Sequence, residues 1–200
     1  MQFIAHRVNT SAELDNIPYH CGAEVDLRDR GTSLILAHDP FVSGEDFEAY
    51  LDRYKHGTLI INIKSERIEH RALNVLQQHG IVNYFFLDCS FPMIYLLSSH
   101  GECNIALRYS EFEGLDTILK MQGKVSWVWV DCFTMLPITR ESYSMLKNAG
   151  FKLCLVSPEL QGRENDIESY RDFFWKENIV FDAVCSKIHN YHRWIKASAI

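Results

Sequence analysis

The sequence predicts an α/β fold built on a parallel sheet, and the strand count favours a single (β/α)8 barrel. Three observations carry this. Nine short apolar runs, at residues 3–6, 23–28, 34–38, 59–64, 84–88, 104–109, 125–131, 152–156 and 183–188, read as buried strands. Segments with one apolar helical face lie between several of them. No Pro-, Gly- or Ser-rich linker interrupts the alternation, so residues 1–200 are expected to form one domain, short for a barrel of this kind. An open doubly wound sheet is the alternative. No glycine-rich phosphate loop follows the first strand, which counts against a nucleotide-binding fold of that type.

The helical segments follow in order. Phe47, Tyr50, Leu51 and Tyr54 share a face, as do Ile68, Ala72, Val75 and Leu76, with Gly80 as a stop. Phe112, Leu115, Ile118 and Leu119 repeat the pattern. Thr139 is placed to cap a helix that runs through Tyr143, Leu146 and Ala149 to Gly150. Ile167, Tyr170, Phe174 and Trp175 mark the last long one. Trp127 and Trp129 alternate with Val128 and Val130 and read as packing.

Composition narrows the function. The chain is 47% hydrophobic with a formal charge of −6, from 20 Lys and Arg against 26 Asp and Glu. It can bury a full core, and it lacks the basic excess of a general nucleic-acid binder. No apolar run is long enough to span a membrane, and no signal peptide is visible. Six cysteines stand singly with no CxxC pair, which suits buried, reduced thiols and a cytoplasmic protein.

Polar residues collect where the strands end. The first strand runs into His6 and Arg7. The second carries Glu24, Asp26 and Arg28 at alternating positions, so their side chains share a face. Later strands end at His38-Asp39, at Asn62 and Lys64, and near Asp88, Arg108, Asp131, Glu159 and Lys187. The C-terminal ends of barrel strands form the active face. Glu24 and Asp26 are hard oxygen donors that suit Mg²⁺ or Ca²⁺ better than zinc; the competing reading pairs them with Arg28 and Lys64. His6 and His38 can serve as an acid/base pair. Arg7, Lys64, Arg108 and Lys187 are candidates for an anionic substrate, a phosphate above all.

The order His6-Arg7, Glu24-Val25-Asp26, His38-Asp39 and Asn62-Ile63-Lys64 resembles the glycerophosphodiester phosphodiesterase superfamily. That superfamily includes sphingomyelinase D–like enzymes and is similar in design to phosphatidylinositol-specific phospholipase C. The motifs match across residues 3–64, and the strand–helix rhythm is compatible to about residue 188. The resemblance implies a phospholipase C–like barrel and a phosphodiesterase dependent on a divalent metal. His6 and His38 match its acid/base histidines, Glu24 and Asp26 two metal ligands, and Arg7 and Lys64 residues near the phosphate. Val8 stands where the family has glycine, and Asn62 aligns with a third metal-binding carboxylate. Asp39 and Asn62 are too close in the chain for the family's usual helical insertion.

The expected function is hydrolysis of a small or lipid-derived phosphodiester, with Mg²⁺ or Ca²⁺ as cofactor and a small molecule as partner. Alternatives are a sugar- or nucleotide-linked polyol phosphodiester, and a non-catalytic barrel that binds a phosphorylated ligand. Oligomeric state is not legible.

Overall fold

In the structure, a computed structural model that describes residues 1–195, the apolar runs become strands and most segments between them become helices. The chain divides into two compact units, Ile4–His100 and Met1–Phe3 with the chain from Gly101, so the boundary falls inside β1 (Gln2–Ala5).

The first unit continues through α1 (Ser11–Leu14), β2 (Gly22–Arg30), β3 (Ser33–Leu36), β4 (Glu45–Asp46), α2 (Phe47–Leu51), β5 (Leu59–Ile63), α3 (Glu69–Gln78), β6 (Tyr84–Leu87) and α4 (Phe91–Ser99). Its parallel order is β1–β2–β5–β6, with Ala5 opposite Ala23, Asp26 opposite Asn62 and Ile61 opposite Phe86. The odd positions of β2 (Ala23, Val25 and Leu27) are fully buried, as are Phe47, Tyr50 and Leu76 at or near the same core. Burying each large side chain of this set contributes roughly 1.5–3 kcal/mol before entropy is counted.

β2 outruns its parallel neighbours and turns back on itself. A two-residue loop, Gly31-Thr32, joins it to β3, and the two pair antiparallel from Arg30 and Ser33 to Leu27 and Leu36. Gly31 has φ +60°, the left-handed conformation that the first loop position of a type II′ hairpin requires. β4 then pairs antiparallel with β3. The run at 34–38 is thus a strand, but one set by a glycine turn and not by a helical crossover. Two helices of this unit escape the periodic reading. α1 is a single turn closed by a Thr10–Glu13 capping box. α4 buries Met93, Ile94 and Leu97 yet exposes Phe91, Tyr95 and Leu96, so its apolar residues have no single face to detect.

The second unit contains β7 (Ala106–Tyr109), α5 (Leu115–Lys120), β8 (Trp127–Val130), α6 (Arg140–Asn148), β9 (Lys152–Val156), α7 (Ile167–Glu177), β10 (Ala183–Ser186) and α8 (Tyr191–Trp194). Its strands are parallel in the order β7–β8–β9–β10. At one end of this sheet the Gln2 N–H donates to the Asp182 carbonyl at 2.8 Å. Thr139 caps α6 as expected, and Trp127 and Trp129 are buried among their strand neighbours. The α/β class and the parallel pairing therefore hold in both units. None of the six cysteines forms a disulfide. Among the described residues, no helix is long and apolar enough to cross a membrane.

β2 is packed so closely that glycine at its start is obligatory. A Cβ built on Gly22 would stand 2.2 Å from the Thr58 carbonyl oxygen, a backbone atom fixed by its bond to the Ala23 N–H. Gly22→Ala should lower stability by roughly 2–3 kcal/mol, as overpacking a core does. Gly31→Ala, which meets no neighbour and suffers only its positive φ, should cost about 1 kcal/mol. Urea unfolding of the two variants checks this ranking.

Candidate active site

The first half of β2, up to its midpoint, carries two acids where a strand usually carries apolar residues. Glu24 and Asp26 are each only 1% exposed, so folding must supply them with donors or positive charge. The segment after β1 does much of this. Arg7 adopts a left-handed backbone, φ +54°, and its N–H donates to Glu24 Oε2 at 2.7 Å. The Val8 N–H donates to the Glu24 carbonyl. Asn9 then pairs twice with Asp26: its Nδ2 donates to Oδ2 at 2.9 Å and its Oδ1 accepts from the Asp26 N–H at 2.8 Å. Thr10 follows directly as the cap of α1.

Positive charge comes from two sides. Arg7 Nε lies 3.5 Å from Asp26 Oδ2, and Lys64 Nζ lies 3.5 Å from Asp26 Oδ1 and 3.8 Å from Asp88 Oδ2. Asp88, at the end of β6, also has a left-handed backbone, φ +58°. Asp26 is thus shared between two cations and an amide. Glu24 is served less well. Its Oε1 accepts from Asn62 Nδ2 at 3.0 Å, and His6 Nε2 lies 3.8 Å from Oε2. Burial, followed by the neighbouring charge of Asp26, pushes its carboxyl up to about 7, while the bonds from Asn62 and Arg7 and the charge of Lys64 pull the other way.

His38 lies just beyond β3, where the Ala37 N–H still bonds to the Asp26 carbonyl. Its Nδ1 is 2.7 Å from Asp39 Oδ1. The bond from His38, and then its charge, hold the exposed Asp39 carboxyl below the usual carboxylate range. With Nδ1 engaged, Nε2 is the ring nitrogen left for a substrate.

The structure therefore gathers His6 and Arg7 after β1, Glu24 and Asp26 of β2, His38 beyond β3, and Asn62 and Lys64 at the end of β5 within one unit. Arg108 and Lys187 belong to the other. Arg108 bonds Asp131 through Nη1, lies 3.8 Å from Glu113 and stacks over Phe133. The Lys187 N–H donates to Glu159 at 3.1 Å. Arg28 does not neutralise Glu24 or Asp26; its guanidinium goes instead to the carbonyls of His38 and Lys64. Asn9 escaped the sequence reading, because an asparagine ahead of a helix cap reads as turn chemistry.

The donor set suits a hard cation. Asn62 Oδ1 is buried without a hydrogen-bond partner, while the same amide bonds Glu24. An oxygen without a donor, beside a carboxylate disfavoured by burial and by the charge of Asp26, is an arrangement that Mg²⁺ or Ca²⁺ would relieve. Among the described residues no three His, Cys, Asp or Glu side chains are grouped to hold a metal ion.

Solved structures share this architecture. A glycerophosphodiester phosphodiesterase from Agrobacterium tumefaciens superposes with a TM-score of 0.63 at 16% identity, over 93% of this chain and 96% of that one. A putative glycerophosphoryl diester phosphodiesterase from the same organism gives 0.66 at 9% identity, over 92% of each chain. One from Parabacteroides distasonis gives 0.63 at 14%, over 93% and 82%. The chain has the glycerophosphodiester phosphodiesterase fold. No protein-family model matches it, and no curated protein matches it significantly. The likeness to these phosphodiesterases thus lies in the fold, at sequence identities of 16% and below.

The state of Glu24 has a measurable consequence. A carboxyl at about 7 in the folded chain and at 4.5 when unfolded favours folding while protonated. That contribution is complete below pH 4.5 and is lost as pH rises toward 7, because the native state must then hold the buried anion. Glu24→Gln removes the ionisation, and Asn62 can turn its amide to accept from the new Nε2. Without divalent cation, this variant should melt above wild type at pH 8, by an amount on the order of 3 kcal/mol at most, and match it near pH 4.5. Equal melting shifts at both pH values would contradict the assignment.

Proposed function

We propose that this protein is a divalent-metal-dependent phosphodiester hydrolase acting on a glycerophosphodiester or a similar small or lipid-derived phosphodiester. The supporting observation is the buried Glu24–Asp26 pair, with the Asn62 oxygen beside it, bordered by Arg7 and Lys64 and by His6 and His38. The proposal includes a single closed (β/α)8 barrel over residues 1–200 and a cytoplasmic setting, in keeping with six cysteines that form no disulfide. Arg108 and Lys187 are carried as further phosphate-binding residues on one ground, their place at the C-terminal ends of β7 and β10.

Glu24, Asp26 and Asn62 would hold the metal. When bound, Mg²⁺ or Ca²⁺ offsets phosphate charge and acidifies an attacking hydroxyl. Arg7 and Lys64, both held at 3.5 Å from Asp26, orient the phosphodiester. His38, its Nδ1 turned to Asp39, presents Nε2 as general base to a hydroxyl of the substrate next to the phosphate. The hydroxyl oxygen attacks phosphorus and its proton passes to His38. The bond from phosphorus to the leaving alkoxide breaks, and His6, 3.8 Å from Glu24, protonates that oxygen. A cyclic phosphate results. Water opens it with the histidines in exchanged roles, returning both to their starting protonation.

His6→Ala and His38→Ala should each lower kcat by about 10²–10⁴ in hydrolysis of glycerophosphocholine, which carries a hydroxyl next to its phosphate, and each should remove one limb of a bell-shaped pH–rate profile. A profile with both limbs intact in either variant would reject the assignment. A panel that includes nucleotide-linked polyols separates the substrate classes.

The amide at position 62 sets the metal affinity. Two carboxylates and an amide carry one negative charge fewer than three carboxylates, so the cation should bind weakly alone and tightly with a phosphodiester, each strengthening the other equally. Asn62→Asp should tighten Mg²⁺ or Ca²⁺ binding in the absence of substrate, roughly tenfold or more, and reduce the reinforcement by phosphate. Calorimetric titration with and without a non-hydrolysable phosphodiester measures both. Unchanged affinity would place Asn62 outside the metal's ligand set.

A further inference from the structure

Arg28 shares a strand face with Glu24 and Asp26, yet it forms no ion pair with either. Its Nε and Nη2 both donate to the His38 carbonyl, at 3.2 and 3.0 Å, and its Nη1 donates to the Lys64 carbonyl at 2.9 Å. These two carbonyls sit where the chain leaves the sheet. The last ladder bonds on either side of β2 are Ala37 N–H to the Asp26 carbonyl and Lys64 N–H to the Leu27 carbonyl. Past Ala37 and past Lys64 the chain no longer pairs with β2, and the Arg28 side chain supplies donors to the His38 and Lys64 carbonyls there.

We infer that Arg28 is a positioning residue that fixes His38 and Lys64 relative to each other and to the acids of β2. The inference rests on the functional reading above for the roles of His38 and Lys64. One planar fork holds the backbone of the base and the backbone of the phosphate-binding lysine, which arrive from different strands, β3 and β5. The side chains of those two residues reach Asp39 and Asp88. A guanidinium suits this task because its donors diverge in a rigid plane; an ammonium reaches one carbonyl at a time. Displacement of a catalytic group by about 1 Å can cost as much as 10²-fold in rate.

The test is Arg28→Gln, with Arg28→Lys beside it, alone and combined with His38→Ala and with Lys64→Ala, on glycerophosphocholine with Mg²⁺. Arg28→Gln should lower kcat roughly 10- to 100-fold and raise KM, and Arg28→Lys should recover part of the loss. The effect should shrink severalfold in each combined variant, since a group already removed has no position to lose. Equal losses in all three backgrounds would overturn the inference. A second readout needs no turnover: the His38 ring signals in NMR spectra, identified by their disappearance in His38→Ala, should shift in both Arg28 variants. Unshifted signals would overturn the inference even with catalysis impaired. A wild-type protein that hydrolyses no phosphodiester would instead overturn the proposed function, and the ring signals would still decide the role of Arg28.

Discussion

Two carboxylates buried side by side on one strand are the constraint from which the rest of the site follows. Glu24 and Asp26 point the same way from β2, almost wholly removed from water. Like charges so placed repel and pay desolvation as well, so the chain around them is shaped by the need for donors. The turn after β1 bends through a left-handed Arg7 to aim an N–H at Glu24, and Asn9 meets Asp26 with both ends of its amide. Lys64 and Asn62 approach from β5 in a register that puts Asn62 opposite Asp26. Stability and chemistry conflict here: the arrangement is costly to an isolated fold and is suited to a ligand that brings positive charge.

The two acids are satisfied unequally. Asp26 has an amide and two cations within 3.5 Å, and Glu24 has two neutral donors, a histidine at 3.8 Å and the weaker influence of Lys64. Asn62 is central to that inequality. A third carboxylate here would add another anion to the cluster, whereas the amide donates to Glu24 and keeps its own oxygen unused. The chain thus holds together without a cation better than a three-acid site would, and has less charge with which to retain one.

Most of the sheet was legible because its strands are short apolar runs bounded by polar ends, and most helices because they keep one apolar face. The periodic argument failed where periodicity is absent. α4 is apolar on buried and exposed sides alike, and α1 is a single turn held by its cap. β3 and β4 run antiparallel because Gly31 permits a two-residue turn, a local event that strand–helix alternation does not anticipate. In the site, alternation on β2 correctly placed Glu24 and Asp26 on one face, and spacing brought His6, His38, Asn62 and Lys64 to them. It misassigned Arg28, since sharing a face says nothing about how far a long side chain reaches. It passed over Asn9, whose role depends on a turn that returns the chain to β2.

The central claim is that Glu24, Asp26 and Asn62 jointly receive a divalent cation beside a phosphodiester. Crystals grown with Mn²⁺ and a non-hydrolysable glycerophosphonate, measured at the manganese absorption edge, locate that ion directly. The account predicts one anomalous peak within coordination distance of the Glu24 and Asp26 carboxylates and Asn62 Oδ1, with a phosphonate oxygen completing the shell. A manganese ion bound elsewhere, with the phosphonate held by Arg7 and Lys64 and no metal between these three side chains, would contradict it.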